Sequence, residues 1–247
     1  MPNAETFRAL VLHQNQVVVD LVRLTLNHGL FVVRAGHDLV EAEAELAGWS
    51  PHMAIIDMDH QDSIALLERL GTSRAPGVHG TPVLGLTRHG DLPSKLHAFD
   101  LGVDDILMVP FSPEELLARS IVITRRLTGT DPVVAPIRLG EIELDILGRV
   151  IRIGDSVVHL TGIEHSLLYL LASRSGQIVD RETILDIIWG ADFVADSNVV
   201  DRHIQSLRTK LQDDYRTPRF IATEPGRGYR FVPTFSNLGW DRGLEER

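Results

Sequence analysis

Apolar residues recur along the first half of the chain in short runs separated by longer stretches of helical period. Ala9 to Leu12, Leu30 to Val33, Met53 to Ile56, Pro82 to Leu86 and Ile106 to Val109 read as strands buried on both faces. Between them, helical patterns fall near residues 16–28, 38–48, 62–70, 92–101 and 113–126. Strand and helix in strict alternation predict an α/β layer, a parallel sheet covered by helices on both sides. Thr128-Gly129-Thr130-Asp131-Pro132, with Pro136 after it, breaks this pattern, and the linker is placed at residues 127–136.

The second half has a different rhythm. Arg138 to Leu160 is strand-rich, with turns at Leu147-Gly148-Arg149 and Ile153-Gly154-Asp155-Ser156. Thr161 and Glu164 have capping-box spacing at the start of a helix that Gly176 ends. Leu167, Leu168, Leu171, Ile184, Leu185 and Ile188 read as core, and Trp189 as a packing residue. From Ser197, a plausible N-cap, Val200, Ile204, Leu207 and Leu211 form one apolar stripe. Asn198, Arg202, Gln205, Ser206 and Thr209 fall on the other side, with side chains suited to base edges in a major groove. Arg219 to Thr223 and Tyr229 to Val232 are β-rich runs joined by Glu224-Pro225-Gly226-Arg227-Gly228, a hairpin with arginine at its tip. A polar helix face and a glycine turn are each ordinary; their order, helix then basic hairpin, is that of a winged-helix DNA reader.

Charge supports this locally. The chain carries a net charge of -10, yet residues 198–232 hold seven basic side chains (Arg202, Arg208, Lys210, Arg216, Arg219, Arg227, Arg230) against four acidic ones (Asp201, Asp213, Asp214, Glu224). The absence of cysteine excludes disulfides and thiolate metal sites. Neither a signal-peptide pattern at Met1-Pro2-Asn3-Ala4-Glu5 nor a membrane-length apolar run is present, so a cytoplasmic protein with no membrane partner is expected. No phosphate-binding glycine loop, nucleophile elbow or zinc-type histidine spacing points to an enzyme.

The second half resembles the DNA-binding domain of OmpR/PhoB-type response regulators from about Ile137 to Pro233. The likeness rests on Leu160-Thr161-Gly162-Ile163-Glu164, Ile188-Trp189-Gly190, Val200-Asp201-Arg202-His203-Ile204 with Leu207-Arg208, and Gly226-Arg227-Gly228-Tyr229-Arg230. It implies a winged helix-turn-helix in which the helix from Asn198 reads double-stranded DNA and the hairpin is the wing. The loop Ala191 to Asp196 then faces RNA polymerase. Arg202, Gln205, Ser206 and Thr209 are expected at bases or groove, Arg208, Arg227 and Arg230 at phosphates, and Tyr229 is a packing residue within reach of the DNA backbone. His203 reads as a packed histidine. Pro225 departs from the family's usual basic or bulky residue and leaves Arg227 as the main wing contact. Residues 234–247 form a tail.

The first half, residues 1–126, resembles a flavodoxin-like (βα)5 receiver, most clearly in Gly102-Val103-Asp104-Asp105 and in Pro110-Phe111-Ser112-Pro113-Glu114-Glu115-Leu116-Leu117-Ala118-Arg119. By that likeness Asp57 stands at the phosphoacceptor position and Thr87 at the hydroxyl position. The surrounding chemistry differs. His13-Gln14 occupy the place of the acidic pair that holds Mg²⁺, and Val109 that of the lysine that neutralises the phosphoryl group. The loop after Asp57 also lacks the family's proline and is shorter. The expectation is an atypical receiver without Mg²⁺ or other cofactor, whose Asp57 is unused and whose need for a cognate histidine kinase is open. The likeness also implies a homodimer through the fourth helix, fifth strand and fifth helix, where Lys95, Asp100, Asp104, Asp105, Glu115, Arg119 and Arg125 offer both signs of charge. Three other readings stay open: phosphorylation of Asp57 aided by Asp59 or a water-held metal, a metal or ligand sensor built from His13, His60, His89 and Asp57, and an adaptor that binds polymerase without reading DNA.

Overall fold

The computed structural model describes residues 6–46, 48–71, 80–128, 134–194 and 198–233. These fall into two compact units. In the first, β1 (Phe7–Leu12), β2 (Phe31–Gly36), β3 (Met53–Asp57), β4 (Val83–Thr87) and β5 (Asp105–Met108) form one parallel sheet in the order β2-β1-β3-β4-β5. The inner strands are buried along almost their whole length, which is why their sequences are unbroken apolar runs rather than alternating ones. Helices α1 (Gln16–Leu26), α2 (Leu39–Leu46), α3 (Ser63–Gly71), α4 (Leu92–Asp100) and α5 (Pro113–Thr128) connect and follow them.

Local signals set the element boundaries. Asn15 caps α1 by accepting from the Val17 N–H at 2.9 Å, and Asp91 caps α4 by accepting from the Ser94 N–H at 3.0 Å. Gly36 lets α2 close onto β2, since a Cβ there would sit 2.4 Å from the Ala42 nitrogen. Leu10, Leu12, Ile56, Leu66, Val83 and Ile106 belong to the core on one side of the sheet. The fifth helix runs two residues past the expected boundary, to Thr128, and so takes in the start of the expected linker; residues 129–133 lie outside the described set.

The second unit opens with an antiparallel sheet of β6 (Ile137–Leu139), β7 (Ile142–Asp145), β8 (Val150–Ile153) and β9 (Ser156–His159). Helix α6 (Gly162–Ser173), strand β10 (Ile178–Val179), α7 (Arg181–Trp189) and α8 (Val199–Leu211) follow, then the hairpin β11 (Ile221–Glu224) and β12 (Gly228–Phe231), which pairs with β10 in the order β10-β12-β11. Thr161 and Glu164 form the capping box: the Thr161 N–H donates to Glu164 Oε2 at 2.7 Å and the Glu164 N–H to Thr161 Oγ1 at 3.3 Å.

Three boundary details differ from expectation. Helix α6 ends at Ser173, with Gly176 at φ +76° three residues on, in the turn rather than at the cap itself. In α7 the buried pair is Ile184 and Ile187, whereas Leu185 and Ile188 are half-exposed. Ser197 lies outside the described residues, and Asn198, at the N-cap of α8, makes no side-chain capping bond. Gly228 is required where it stands: at φ +141°, a Cβ on it would meet the Val179 carbonyl oxygen at 2.2 Å.

Candidate nucleic-acid interface and receiver pocket

Helix α8 carries its stripe as read: Val200, Ile204, Leu207 and Leu211 are buried, while Asn198, Arg202, Gln205 and Thr209 are exposed. Its bearing is fixed by a polar cluster at the N-terminus of α6. Glu164 is buried, and its carboxylate accepts from Lys210 Nζ at 2.6 Å and from Ser206 Oγ at 2.7 Å. Burial alone would raise its pKa, but the Lys210 ammonium, the Thr161 N–H and the hydroxyls of Ser206 and Thr161 outweigh it and hold the group at about 2. Lys210 also donates to the His159 carbonyl at 2.9 Å, so its charge is spent inside the unit.

The far end of α8 is bolted to the hairpin. The Arg208 guanidinium donates to the Ile221 carbonyl at 2.6 Å and to Thr223 Oγ1 at 2.9 Å. The buried Asp213 carboxylate accepts from the N–H groups of Arg219 at 2.7 Å, Phe220 at 3.2 Å and Ile221 at 2.8 Å. At the near end, Tyr229 is 3% exposed and its hydroxyl donates to Asp201 Oδ1 at 2.6 Å. Arg181 donates to the same carboxylate oxygen at 2.8 Å. Burial, then the bond to Asp201, pushes the Tyr229 phenol up to about 12. Between these anchors the hairpin tip, Pro225-Gly226-Arg227, is exposed.

In the first unit, Asp57 ends β3, and its Oδ1 accepts from the Asp59 N–H at 3.0 Å. His13, directly after β1, is buried with Nε2 3.6 Å from Asp57 Oδ2. Its Nδ1 accepts from the Asn15 N–H at 3.0 Å, which puts the hydrogen of the neutral ring on Nε2. Burial lowers the His13 pKa more than Asp57 raises it, so at neutral pH the ring is uncharged. Thr87 Oγ1 donates to Asp59 Oδ1 at 2.8 Å, and Asp59 Oδ2 accepts from the Arg88 N–H at 2.9 Å. Gln14 is exposed, and Val109, half-buried, precedes Pro110 through a cis peptide bond.

Comparison with known proteins places both units. Residues 9–120 match the family model for a response regulator receiver domain, and residues 155–231 that for a transcriptional regulatory protein, C terminal. The KDP operon transcriptional regulatory protein KdpE of Escherichia coli is 31% identical over 225 residues, covering 90% of this chain and 98% of that one. This chain belongs to the OmpR/PhoB family of response regulators. Among solved structures, DrrB, described as a Thermotoga maritima OmpR/PhoB homolog, is 26% identical over 92% of this chain and 99% of its own, with a TM-score of 0.42. The Klebsiella pneumoniae RstA DNA-binding domain in complex with RstA box is 32% identical over 40% of this chain and 98% of its own, with a TM-score of 0.37.

For this response regulator the expected DNA-facing set needs correction at Arg208. Arg208 does not face a phosphate: it is 6% exposed and committed to β11. Arg230 is paired with Glu224 through Nε at 3.0 Å and Nη2 at 2.9 Å. Ser206 is exposed, with its hydroxyl donating to Glu164, and Tyr229 is interior. Of the seven counted cations, Arg208 is thus internal, the half-buried Lys210 is bonded to Glu164, and Arg219 pairs with Glu141. His203 is half-buried against Trp189, ring centroids 5.4 Å apart. Ala191 to Val194 of the loop expected to face polymerase are exposed, while Ala195 and Asp196 lie outside the described residues.

On the receiver's fourth helix, Leu92, Leu96 and Phe99 are exposed, as is Val122 on α5. Asp100, Asp104, Glu115 and Arg125 are exposed there too, and Lys95 is half-buried. Arg119 is tied to Asp105 at 2.8 Å and to Glu115 at 2.8 Å within the same chain. As for the histidine cluster, His89 Nε2 lies 3.8 Å from Asp59 Oδ1, whereas His13 Nε2 lies 3.6 Å from Asp57 Oδ2. Among the described residues no group of three or more His, Asp or Glu side chains is placed to hold a metal ion. No helix among them is long and apolar enough to cross a membrane.

Proposed function

We propose that this OmpR/PhoB-family regulator pairs through its receiver and reads DNA in tandem half-sites without phosphorylation of Asp57. The observation that carries the reading is the neutral, buried His13 at 3.6 Å from Asp57, in the place where a dication would need carboxylate ligands. Val109 offers no cation to an incoming phosphoryl group, and the Thr87 hydroxyl is already bonded to Asp59. In DNA recognition, Asn198, Arg202, Gln205 and Thr209 take the base edges and Arg227 the backbone of the adjacent groove. Lys95, Asp100, Asp104, Glu115 and Arg125 surround the apolar face of α4 and give a two-fold contact its charge pattern. The exposed turn at Ala191–Val194 is the surface offered to RNA polymerase.

The test is to treat the full chain with acetyl phosphate and Mg²⁺ and to measure dimer fraction and affinity for genomic fragments it selects. Neither should change, and Asp57→Asn should behave as wild type. A dimer fraction that rises with the phosphodonor and is lost in Asp57→Asn would establish the opposite reading, a phosphate-switched regulator served by a histidine kinase. Failure to retain any duplex would remove the DNA reading and leave the polymerase-binding adaptor.

A further inference from the structure

Two donors at the end of β4 already hold an anion, and it comes from the chain itself. The Thr87 hydroxyl donates to Asp59 Oδ1 at 2.8 Å and the Arg88 N–H to Asp59 Oδ2 at 2.9 Å, so one carboxylate takes a bond on each oxygen. The Thr87 oxygen in turn accepts from the His89 N–H at 3.0 Å. Three consecutive residues, Thr87, Arg88 and His89, are thereby gathered on a single side chain. That side chain is 27% exposed, and charge-assisted bonds in so shielded a place are stronger than surface ion pairs.

Asp57 prepares that reach. Its Oδ1 accepts from the Asp59 N–H at 3.0 Å, the local turn in which an aspartate or asparagine side chain binds the backbone two residues on. The Met58 N–H continues the β3–β4 pairing onto the Leu86 carbonyl at 2.8 Å, and the Val109 N–H holds the Thr87 carbonyl at 2.9 Å. The strand ends on both sides are therefore fixed, and the Asp59 carboxylate sets the turn that leads from β4 into α4. Asp91 then caps that helix, on which Leu92, Leu96 and Phe99 are exposed. A phosphoryl group on Asp57 would draw on the same donors, since it too offers anionic oxygens to a hydroxyl and an N–H. The loop after Asp57 brings a carboxylate to them instead.

We propose that Asp59 is the receiver's built-in substitute for a phosphoryl group, a positioning residue whose carboxylate pins Thr87 and Arg88 and so sets the start of α4 for pairing. The pairing half rests on the phosphate-independent reading proposed above; the pinning does not. Asp57 thereby has a task without phosphate, and asparagine performs it equally, so Asp57→Asn behaves as wild type on this account too.

Asp59→Ala in the full, ¹⁵N-labelled chain tests the assignment. The Arg88 amide resonance should move upfield and the dimer Kd should rise about tenfold. Sodium formate, which returns a carboxylate to the vacated place, should reverse both changes saturably, while sodium chloride at the same ionic strength should not. Thr87→Val, which keeps the side-chain shape and removes the hydroxyl, should weaken pairing in the same direction, and the double variant should lose less than the sum of the two. An unmoved Arg88 amide in Asp59→Ala overturns the proposal. So does a loss of pairing that formate leaves as it is, because Asp59 would then be a part of the fold rather than an anion held by donors. Should Asp59→Ala not fold, undiminished pairing in Thr87→Val overturns it instead. A wild-type chain that stays monomeric without a phosphodonor defeats the regulator reading, and the Arg88 amide then still decides whether Asp59 pins the turn.

Discussion

At the scale of single residues, the regulator is defined by which charges are available and which are committed. Arg208 and Arg227 are both arginines of the DNA-binding unit, yet one fastens β11 and the other is exposed at the hairpin tip. Arg208→Ala should therefore cost about 2 kcal/mol in chemical denaturation, the worth of buried bonds to a charged donor. Arg227→Ala should leave stability within about 0.5 kcal/mol but weaken binding to all duplexes and reduce the salt slope by about 1. Equal effects on stability would show that the two roles have been misassigned. The sequence did contain a signal for Arg208: it lies four residues after Ile204 and three before Leu211, on the buried stripe rather than opposite it. Reading every arginine of a basic segment as a phosphate contact hides that geometry. For the receiver, His13→Asp with Gln14→Asp and Val109→Lys should confer a phosphodonor-dependent mass increase at Asp57 that wild type does not show; a stoichiometric adduct on wild type would sink the vestigial reading.

Elements were legible where one periodicity decided them. The five-stranded parallel sheet and the amphipathic α8 follow from apolar runs and a 3.6-residue stripe, and their observed bounds lie within about three residues of those read from the sequence. What joins α6 to α8 was not legible, because Glu164 meets Lys210 and Ser206 across more than forty positions of chain and no local pattern announces such a meeting. Glu164, held at about 2 against an ordinary value of 4.5, supplies stability that is fully present above pH 4.5 and is lost as pH falls towards 2. Its contribution is roughly 3 kcal/mol at neutral pH. Glu164→Gln should be less stable than wild type by that order at pH 7, and the gap should narrow between pH 5 and pH 3 in parallel urea titrations. A gap independent of pH would mean that packing, not charge, holds α8.

For the whole molecule, the proposed pairing rests on the receiver. Leu92, Leu96 and Phe99 expose apolar surface on one helix, ringed by charges of both signs, and the pairing proposed above would bury it. Phe99→Asp should lower the dimer fraction in sedimentation equilibrium and weaken binding to a tandem site by about tenfold or more, while a single half-site is bound as before. Equal loss on both DNAs would place Phe99 in folding rather than pairing. Sequence reading found the charged residues of this face but treated Arg119 as available, whereas Asp105 and Glu115 already hold it in the same chain. Ion pairs of that kind are exchangeable, so the residue is not lost to an interface, only less free to enter one.

The hairpin closes on an asymmetry between its base and its tip. A side chain at Gly228 would run into the Val179 carbonyl, whereas Gly226 has open space around its Cα and Arg227 projects from it. Anyone retargeting this regulator to a new operator thus inherits a fixed hinge and a variable point: libraries at Arg227 and Pro225 sample new contacts, while every amino-acid change at Gly228 spends its diversity on chains that no longer form the wing.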